Sequence, residues 1–571
     1  MKSNKIIFLL AAILLAINAF GQKKKIWVSG AARANMYGDV YSNEAQNDTI
    51  TPRNTQGGHA LVDLGVNIQP TDQILIQGMV RIRNDYGGFW GSGVTFDVRQ
   101  LSIKGILGGF LKYQLGDINY KLTDYTFNNK ESLINKYKGV ITAPNLDQVR
   151  YDLFYMDDNT WRQQGGAVDF ALEFDKGIKE VGFDLFTTRV RPTNFSTQDD
   201  RLYSGGGVVL TQSKYLKLGG QFANLYDFKG TSDNEVYLNN PVYTASAEVK
   251  YKWNKTHLML GTELGNSKLK WDGSADAPVL EDFFYDVNLK AAFERYGLDV
   301  KLGYREVGPN YRSAGAQTMR INYLAAPAAY QRYGNDQELR AISMVDLTRD
   351  ASLYQTQIVA GLMAYDPRYD NATPYGRATP NRKGLDTEIN YTDKKDRWGV
   401  SAELALLSDV VGQGTTSLKN YTTTGISADL RIGKFLNWEK RKLWINAAIG
   451  NQQTKRSGSQ EFENSDLQSQ FGLINLTATI YGDLDFIAEY RTWATKGNDQ
   501  LAERNEYSVI VDYSEYAIDY NEQIIGAGLQ YGFTEKSNLR FMWQTSRWRD
   551  AQSVTLPYDL DTWTLLFTMK F

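Results

Sequence analysis

The 571-residue chain has no cysteine, only 2 histidines and only 12 prolines. Without thiols there are no disulfides, no thiolate nucleophile and no thiolate metal site. Two histidines are too few for a His/Cys ligand cluster. They confine any Ser-His triad to the surroundings of His59 or His257, and no Gly-x-Ser-x-Gly motif occurs. His59 and Asp63 fall on one face of a strand but about 13 Å apart at strand rise, too far for a hydrogen bond. Asp227 to Glu235 is acidic but lacks calcium-loop spacing. The expectation is therefore no enzyme, no cofactor and no metal. Basic and acidic residues nearly cancel, 63 against 65, so nothing points to nucleic acid. Beyond residue 21 there is no apolar run of about 18 residues, hence no transmembrane helix.

The N-terminus reads as a leader. Lys2 and Lys5 precede an unbroken apolar run from Ile6 to Ile17, and Ala19-Phe20-Gly21 offers small residues where a signal peptidase inspects them. Residues 1–21 are expected to be removed, leaving 22–571 as one domain. Only Gln22 to Lys25 then stand before a first strand at Ile26 to Tyr37, so no plug domain is expected.

What fills the rest is alternation. Ala60, Val62, Leu64, Val66 and Ile68 interleave with His59, Asp63, Gly65, Asn67 and Gln69. Phe283, Tyr285, Val287, Leu289 and Ala291 interleave with Asp286, Asn288 and Lys290, and Ile525, Ala527, Leu529, Tyr531 and Phe533 with small and polar residues. Side chains of a strand alternate faces, so each segment has one greasy and one polar side. Each runs for about ten residues, enough to cross a bilayer when tilted. With 36 Tyr and 50 Gly, the composition suits strands, turns and aromatic girdles. Short connections such as 70–72, 107–109, 175–177, 295–296 and 534–536 alternate with long ones at 38–56, 119–163, 190–203, 227–241, 307–384 and 491–521. Mean hydropathy of -0.43 does not argue against this, because barrel strands are half polar.

The last strand carries the sharpest signal. Trp563, Leu565, Phe567, Met569 and Phe571 share one face; Thr562, Thr564, Thr568 and Lys570 share the other, with Leu566 as its apolar exception. This resembles the closing strand of Gram-negative outer-membrane β-barrels, which end in Phe with apolar residues at alternate positions before it. The resemblance implies an all-β, antiparallel up-and-down transmembrane barrel. On the strand rhythm it has about 22 strands (20–24), with short periplasmic turns and long extracellular loops. It also implies an outer-membrane location and a C-terminal signal read by the barrel-assembly machinery.

On that register the inward faces carry both charges. Arg33, Arg81 and Arg83 come from the first three strands, with Arg99 joining across a register irregularity near Gln100-Leu101. Asp386, Glu388, Glu403 and Asp429 come from three consecutive later strands. Two readings stand: opposed basic and acidic walls that orient solutes, or charges that pair with inserted loops and water. A bore of this width is normally narrowed. The candidates are 119–163 and 307–384, the latter with an amphipathic helix or turn at Asp350 to Asp366; each enters the lumen or caps the outer rim. Trp27 faces inward but supports no carbohydrate inference. The leading function is a passive channel for small hydrophilic solutes. The alternative is a non-transporting barrel serving a secretion, assembly or attachment complex, with partner proteins at the long loops.

Overall fold

The computed structural model describes residues 25–43, 53–86, 93–154, 161–325, 342–438, 440–552 and 558–571; the expected signal peptide lies outside them. The strands are β1 (Ile26–Asn43), β2 (Arg53–Thr71), β3 (Ile74–Asp85), β4 (Val94–Leu107), β5 (Leu111–Ile118), β6 (Gln163–Glu173), β7 (Glu180–Arg191) and β8 (Arg201–Thr211). They continue as β9 (Leu216–Asp227), β10 (Tyr237–Trp253), β11 (Thr256–Asp272), β12 (Leu280–Phe293), β13 (Leu298–Val307), β14 (Arg382–Thr392) and β15 (Trp398–Ser408). The last seven are β16 (Asn420–Arg431), β17 (Leu443–Arg456), β18 (Ser465–Tyr481), β19 (Leu484–Arg504), β20 (Ile510–Thr534), β21 (Ser537–Asp550) and β22 (Tyr558–Lys570). Each pairs antiparallel with its chain neighbours in one 22-stranded sheet.

β1 and β22 close the cylinder. Their register runs from Ala31 opposite Lys570 to Asn43 opposite Tyr558, and Gly30 exchanges both backbone hydrogen bonds with Phe571, at 2.9 and 3.0 Å. Closure leaves the sheet with no edge strand, which lipid demands. The apolar face of each strand points out: Phe96 is 68 % exposed, Leu185 56 % and Ile426 51 %. So large a band of bare apolar side chains is stable only where lipid is the solvent. Exposed Trp253, Tyr296, Tyr481 and Phe533 ring the short-turn end as an interfacial girdle. Asn254, Gly297, Asp396 and Gly482 supply the left-handed conformation those tight turns need. Trp563, Leu565 and Phe567 are partly exposed on the outer face and Phe571 is exposed, while Thr562, Thr564 and Leu566 are buried inside. This is a multi-pass outer-membrane barrel of the Gram-negative type.

Three sequence expectations need correction. The first strand continues past Tyr37 to Asn43. Residues 491–521 are not a loop: β19 and β20 run through them and meet at a tight turn, where Ser508 N–H donates to Asn505. The inner face of that hairpin packs on inserted residues, with Trp493 and Thr495 donating to the Arg368 carbonyl and Tyr516 to Asp366, so polar and apolar residues mix on it and the alternation fades. Finally, 350–366 forms only a single 3-10 turn at Ala351–Leu353. The helix lies before it, at Met344–Arg349, where Ser343 and Asp346 form a capping box.

Candidate functional site within the bore

Two segments enter the lumen: the described residues 119–154 and 161–162, between β5 and β6, and 308–325 and 342–381, between β13 and β14. The first begins beside β8 and β12, where the Tyr125 hydroxyl donates to Asp286 at 2.6 Å and the Tyr203 hydroxyl to the Thr126 carbonyl at 2.9 Å. Lys136 and Tyr137 then reach Glu403 of β15, at 2.6 and 3.0 Å. The Ile141 and Thr142 amides and the Thr142 hydroxyl converge on the Glu489 carboxylate of β19, at 2.7, 3.0 and 2.8 Å. Glu489 lies near Leu484, the periplasmic start of β19, so the segment penetrates deeply rather than capping the rim. Ile141 joins Ile487, Met542 and Leu566 in a buried apolar cluster. That cluster explains Leu566, the apolar residue on the polar face of the last strand.

The segment ends in a helix, α1 (Ala143–Leu153), that docks on the basic wall. Asp152 accepts two hydrogen bonds from Arg33 (3.0 and 2.8 Å) and one from Arg81 (2.8 Å). Arg81 also holds Asp63 in a bidentate pair, both bonds at 2.8 Å, and Asp63 is fully buried. Arg99 is the residue that causes the register break: Met79 faces Gln100 and Val80 faces Val98, so Arg99 is the bulged residue between them. The bulge sends it inward. Its guanidinium donates to the Tyr151 carbonyl and, at 3.0 Å, to that of Phe154, meeting the negative end of α1. His59 is buried, not solvated as a lumenal histidine would be; its Nε2 accepts from Arg33 at 2.9 Å. Burial pushes the Asp152 carboxyl up, but Arg33 and Arg81 outweigh it and hold the group below its ordinary value.

The second segment spans the bore the other way. Arg349 forks onto Asp39 of β1 at 3.0 and 2.7 Å. Arg377 of the same segment pairs with Asp286 of β12 at 2.6 Å, on the opposite side of the cylinder. Between them the Met344 and Val345 amides, at the start of α2 (Met344–Arg349), donate to the buried Glu522 carboxylate of β20. Asn371 reaches Asp499 of β19 at 2.7 Å. The two segments share a small core inside the lumen, with Val149, Phe154 and Trp161 in one cluster with Ile321, Leu347, Leu353 and Tyr354.

The sequence-selected residues fall as follows. Arg33, Arg81 and Arg99 converge; Arg83 stays apart, paired with Asp85 at 2.8 Å. Asp386 meets Arg305 at 3.1 Å and Arg377 at 3.5 Å. Glu403 takes Lys136, Glu388 accepts from Asn390, and Asp429 accepts from Asn446 at 2.8 Å. The partners from the inserted segments, Lys136, Asp152, Arg349 and Arg377, escaped sequence reading because a loop has no period to tell which wall it will meet. Cavities line the wall of the bore. One of about 280 Å³ lies between Tyr137, Tyr369 and the β15–β19 wall; another, of about 720 Å³, lies along β10–β14 at the short-turn end.

One loop carboxyl titrates near neutrality. Burial raises Glu131 from 4.5 to about 7, against the lowering influence of Arg150, 3.5 Å away, and of Arg320. The docked segment thus binds a proton that the free segment releases. Docking gains this contribution in full below pH 4.5 and loses it as pH rises through about 7. Hydrogen exchange of 119–154, corrected for intrinsic rates, should lose protection across that window, and Glu131→Gln should flatten the dependence. An identical pH profile in the variant would refute this assignment.

No protein-family model and no curated protein matches the chain. Among solved structures it is similar to Pseudomonas aeruginosa OccK5 (OpdH), at 10 % identity, TM-score 0.33, covering 95 % of this chain and 98 % of that one. It is also similar to OpdK of the same organism, solved with vanillate (7 %, 0.34, 95 % and 99 %), and to a BenF-like porin from Pseudomonas fluorescens Pf-5 (9 %, 0.32, 96 % and 100 %). At such values no argument about substrate or mechanism passes from them to this chain.

Proposed function

We propose that this barrel is a porin-like passive channel, carrying small hydrophilic solutes down their gradients past two inserted segments that narrow its bore. The observation that carries this reading is the wall itself. Along β10–β14 the short-turn half of the inner face is polar and borders an open cavity, and a second cavity lies between the β15–β19 wall and inserted residues such as Tyr137 and Tyr369. A sealed structural barrel has no need of a hydrated wall beside its plug. The chain reaches this state through the outer-membrane assembly machinery, using the Trp563-to-Phe571 strand, with lipid as its outer partner.

The second reading, an accessory subunit of a secretion, assembly or attachment complex, draws on the extent of the filling: the inserted segments build their own apolar core. Purified protein in a planar bilayer separates the two. Steady ohmic current supports the channel; silence, together with co-purifying partner proteins, supports the subunit.

A further inference from the structure

We infer that the 720 Å³ cavity at the periplasmic mouth, along β10–β14, binds anionic solutes bearing carboxylate or phosphate groups. The inference deepens the channel reading by naming a solute class.

Lys290 of β12 and Lys301 of β13 stand directly opposite each other in register. Both face the lumen. Lys290 shares the parity of buried Phe284 and Asp286, and Lys301 that of buried Arg305 and Val307, while Leu289 and Leu302 between them are lipid-exposed. Directly opposed Cβ atoms lie about 4.5–5.5 Å apart, and like charges at that spacing destabilise a sheet. Lys252, on the inward parity of β10, lines the same cavity. Among the described residues none of these three ammonium groups has a carboxylate within 4.0 Å; their neighbour Lys250 pairs with Glu248 at 2.7 Å and His257 with Glu294 at 2.7 Å. Two carboxylates, Asp299 and Glu388, also line the cavity, and Glu388 stands opposite Lys301 in register on the other side, so the three lysines outnumber the carboxylates by one.

The rest of the bore is built otherwise. Arg33, Arg81, Arg99, Arg305, Arg349, Arg377 and Arg382 each lie within 4.0 Å of an aspartate. Those arginines have fixed partners, as do the structural lysines Lys136 and Lys419, which pair with Glu403 and Asp499. Lys252, Lys290 and Lys301 at the mouth, compact charges on flexible stems, face a cavity with no ion pair of their own within 4.0 Å among the described residues. A visiting anion bridging Lys290 and Lys301 relieves their mutual repulsion, in a concave wall whose lysine excess attracts it.

The test uses the full-length mature protein in planar bilayers under a KCl gradient, with citrate, inorganic phosphate and maltose as probes. Wild-type channels should favour chloride, and citrate or phosphate on the periplasmic side should reduce the current while maltose should not. Lys290→Glu/Lys301→Glu should reverse the ion preference, and Lys290→Met/Lys301→Met should abolish it. Each should weaken citrate block by roughly tenfold or more, a loss of at least 1.4 kcal/mol. Heat-modifiable gel mobility reports that each variant is folded. Citrate without phosphate block assigns a carboxylate site; the converse assigns a phosphate site. Current that is present but insensitive to both anions, with unchanged reversal potential in the Glu variant, overturns the site and leaves the channel standing. If wild type passes no current, the channel reading falls. Calorimetric titration of citrate into wild type and the Glu variant then decides the site alone: wild-type binding lost in the variant upholds it, and no wild-type binding overturns it.

Discussion

Deletion of residues 320–375 should raise single-channel conductance several-fold. With strands about 4.8 Å apart and tilted about 40°, a 22-stranded cylinder has a backbone radius of about 20 Å, wide enough to conduct freely if empty. The deleted stretch carries α2, Arg349 and Asn371, which tie the segment to Asp39 and Asp499. Those carboxylates, with Glu522, face the bore, so in the deletion water replaces their lost partners and the barrel closure through β1 and β22 is untouched. The first segment also loses its apolar support from Ile321, Met344, Leu347 and Leu353 and should loosen with it. Conductance equal to wild type in a folded deletion would mean that the segment does not restrict the ion path.

The second large effect is expected from Asp152→Ala. This side chain is the counter-charge that α1 brings to Arg33 and Arg81. Without it Arg33, Arg81 and Arg99 are left with Asp63 alone. Removing one member of a buried ion network costs about 3–5 kcal/mol, because the remaining charges stay buried and unpaired. Since every 1.4 kcal/mol is a factor of ten, the population with α1 undocked should rise by at least about a hundredfold. Hydrogen exchange of 143–153 reads this directly, and current traces should gain rapid flicker. Arg33→Ala/Asp152→Ala should cost less than the sum of its single changes, as contacting residues do. Unaltered protection of α1 in Asp152→Ala would show that the arginine cluster does not hold the segment.

Much of the barrel was legible because lipid on one side and water on the other impose a two-residue period, and turns interrupt it. The closing strand, the inward parity of Arg33 and Arg81 and the bulge that turns Arg99 inward all follow from that period. It failed where its cause failed. The β19–β20 hairpin packs its inner face on inserted residues such as Arg368 and Asn371 instead of water, and so resembled a loop. The inserted segments obey no lipid constraint, and their positions rest on side-chain pairs hundreds of residues apart, such as Arg349 with Asp39. Leu566 was the one visible trace: an apolar side chain on the wet face of the last strand, waiting for Ile141. Read alone, the charges left two readings open: opposed walls, or pairing with inserted loops and water. In the fold Arg33, Arg81, Asp386 and Glu403 meet inserted residues of opposite sign, Arg83, Glu388 and Asp429 find partners on the barrel, and an excess of lysine lines the cavity along β10–β14.

A disulfide tests the insertion of 119–162 most directly, and the chain's lack of cysteine makes the background clean. A Cβ placed on Gly526 of β20 stands 2.9 Å from Cγ2 of Ile141, close to the spacing a disulfide requires. Ile141→Cys/Gly526→Cys in isolated outer membranes should cross-link nearly completely under mild oxidant and migrate as a looped species on denaturing gels. The register partners Ala32 and Met569, both changed to Cys, serve as the barrel control. Cross-linking of that control pair with none between positions 141 and 526 would contradict a segment laid across the bore.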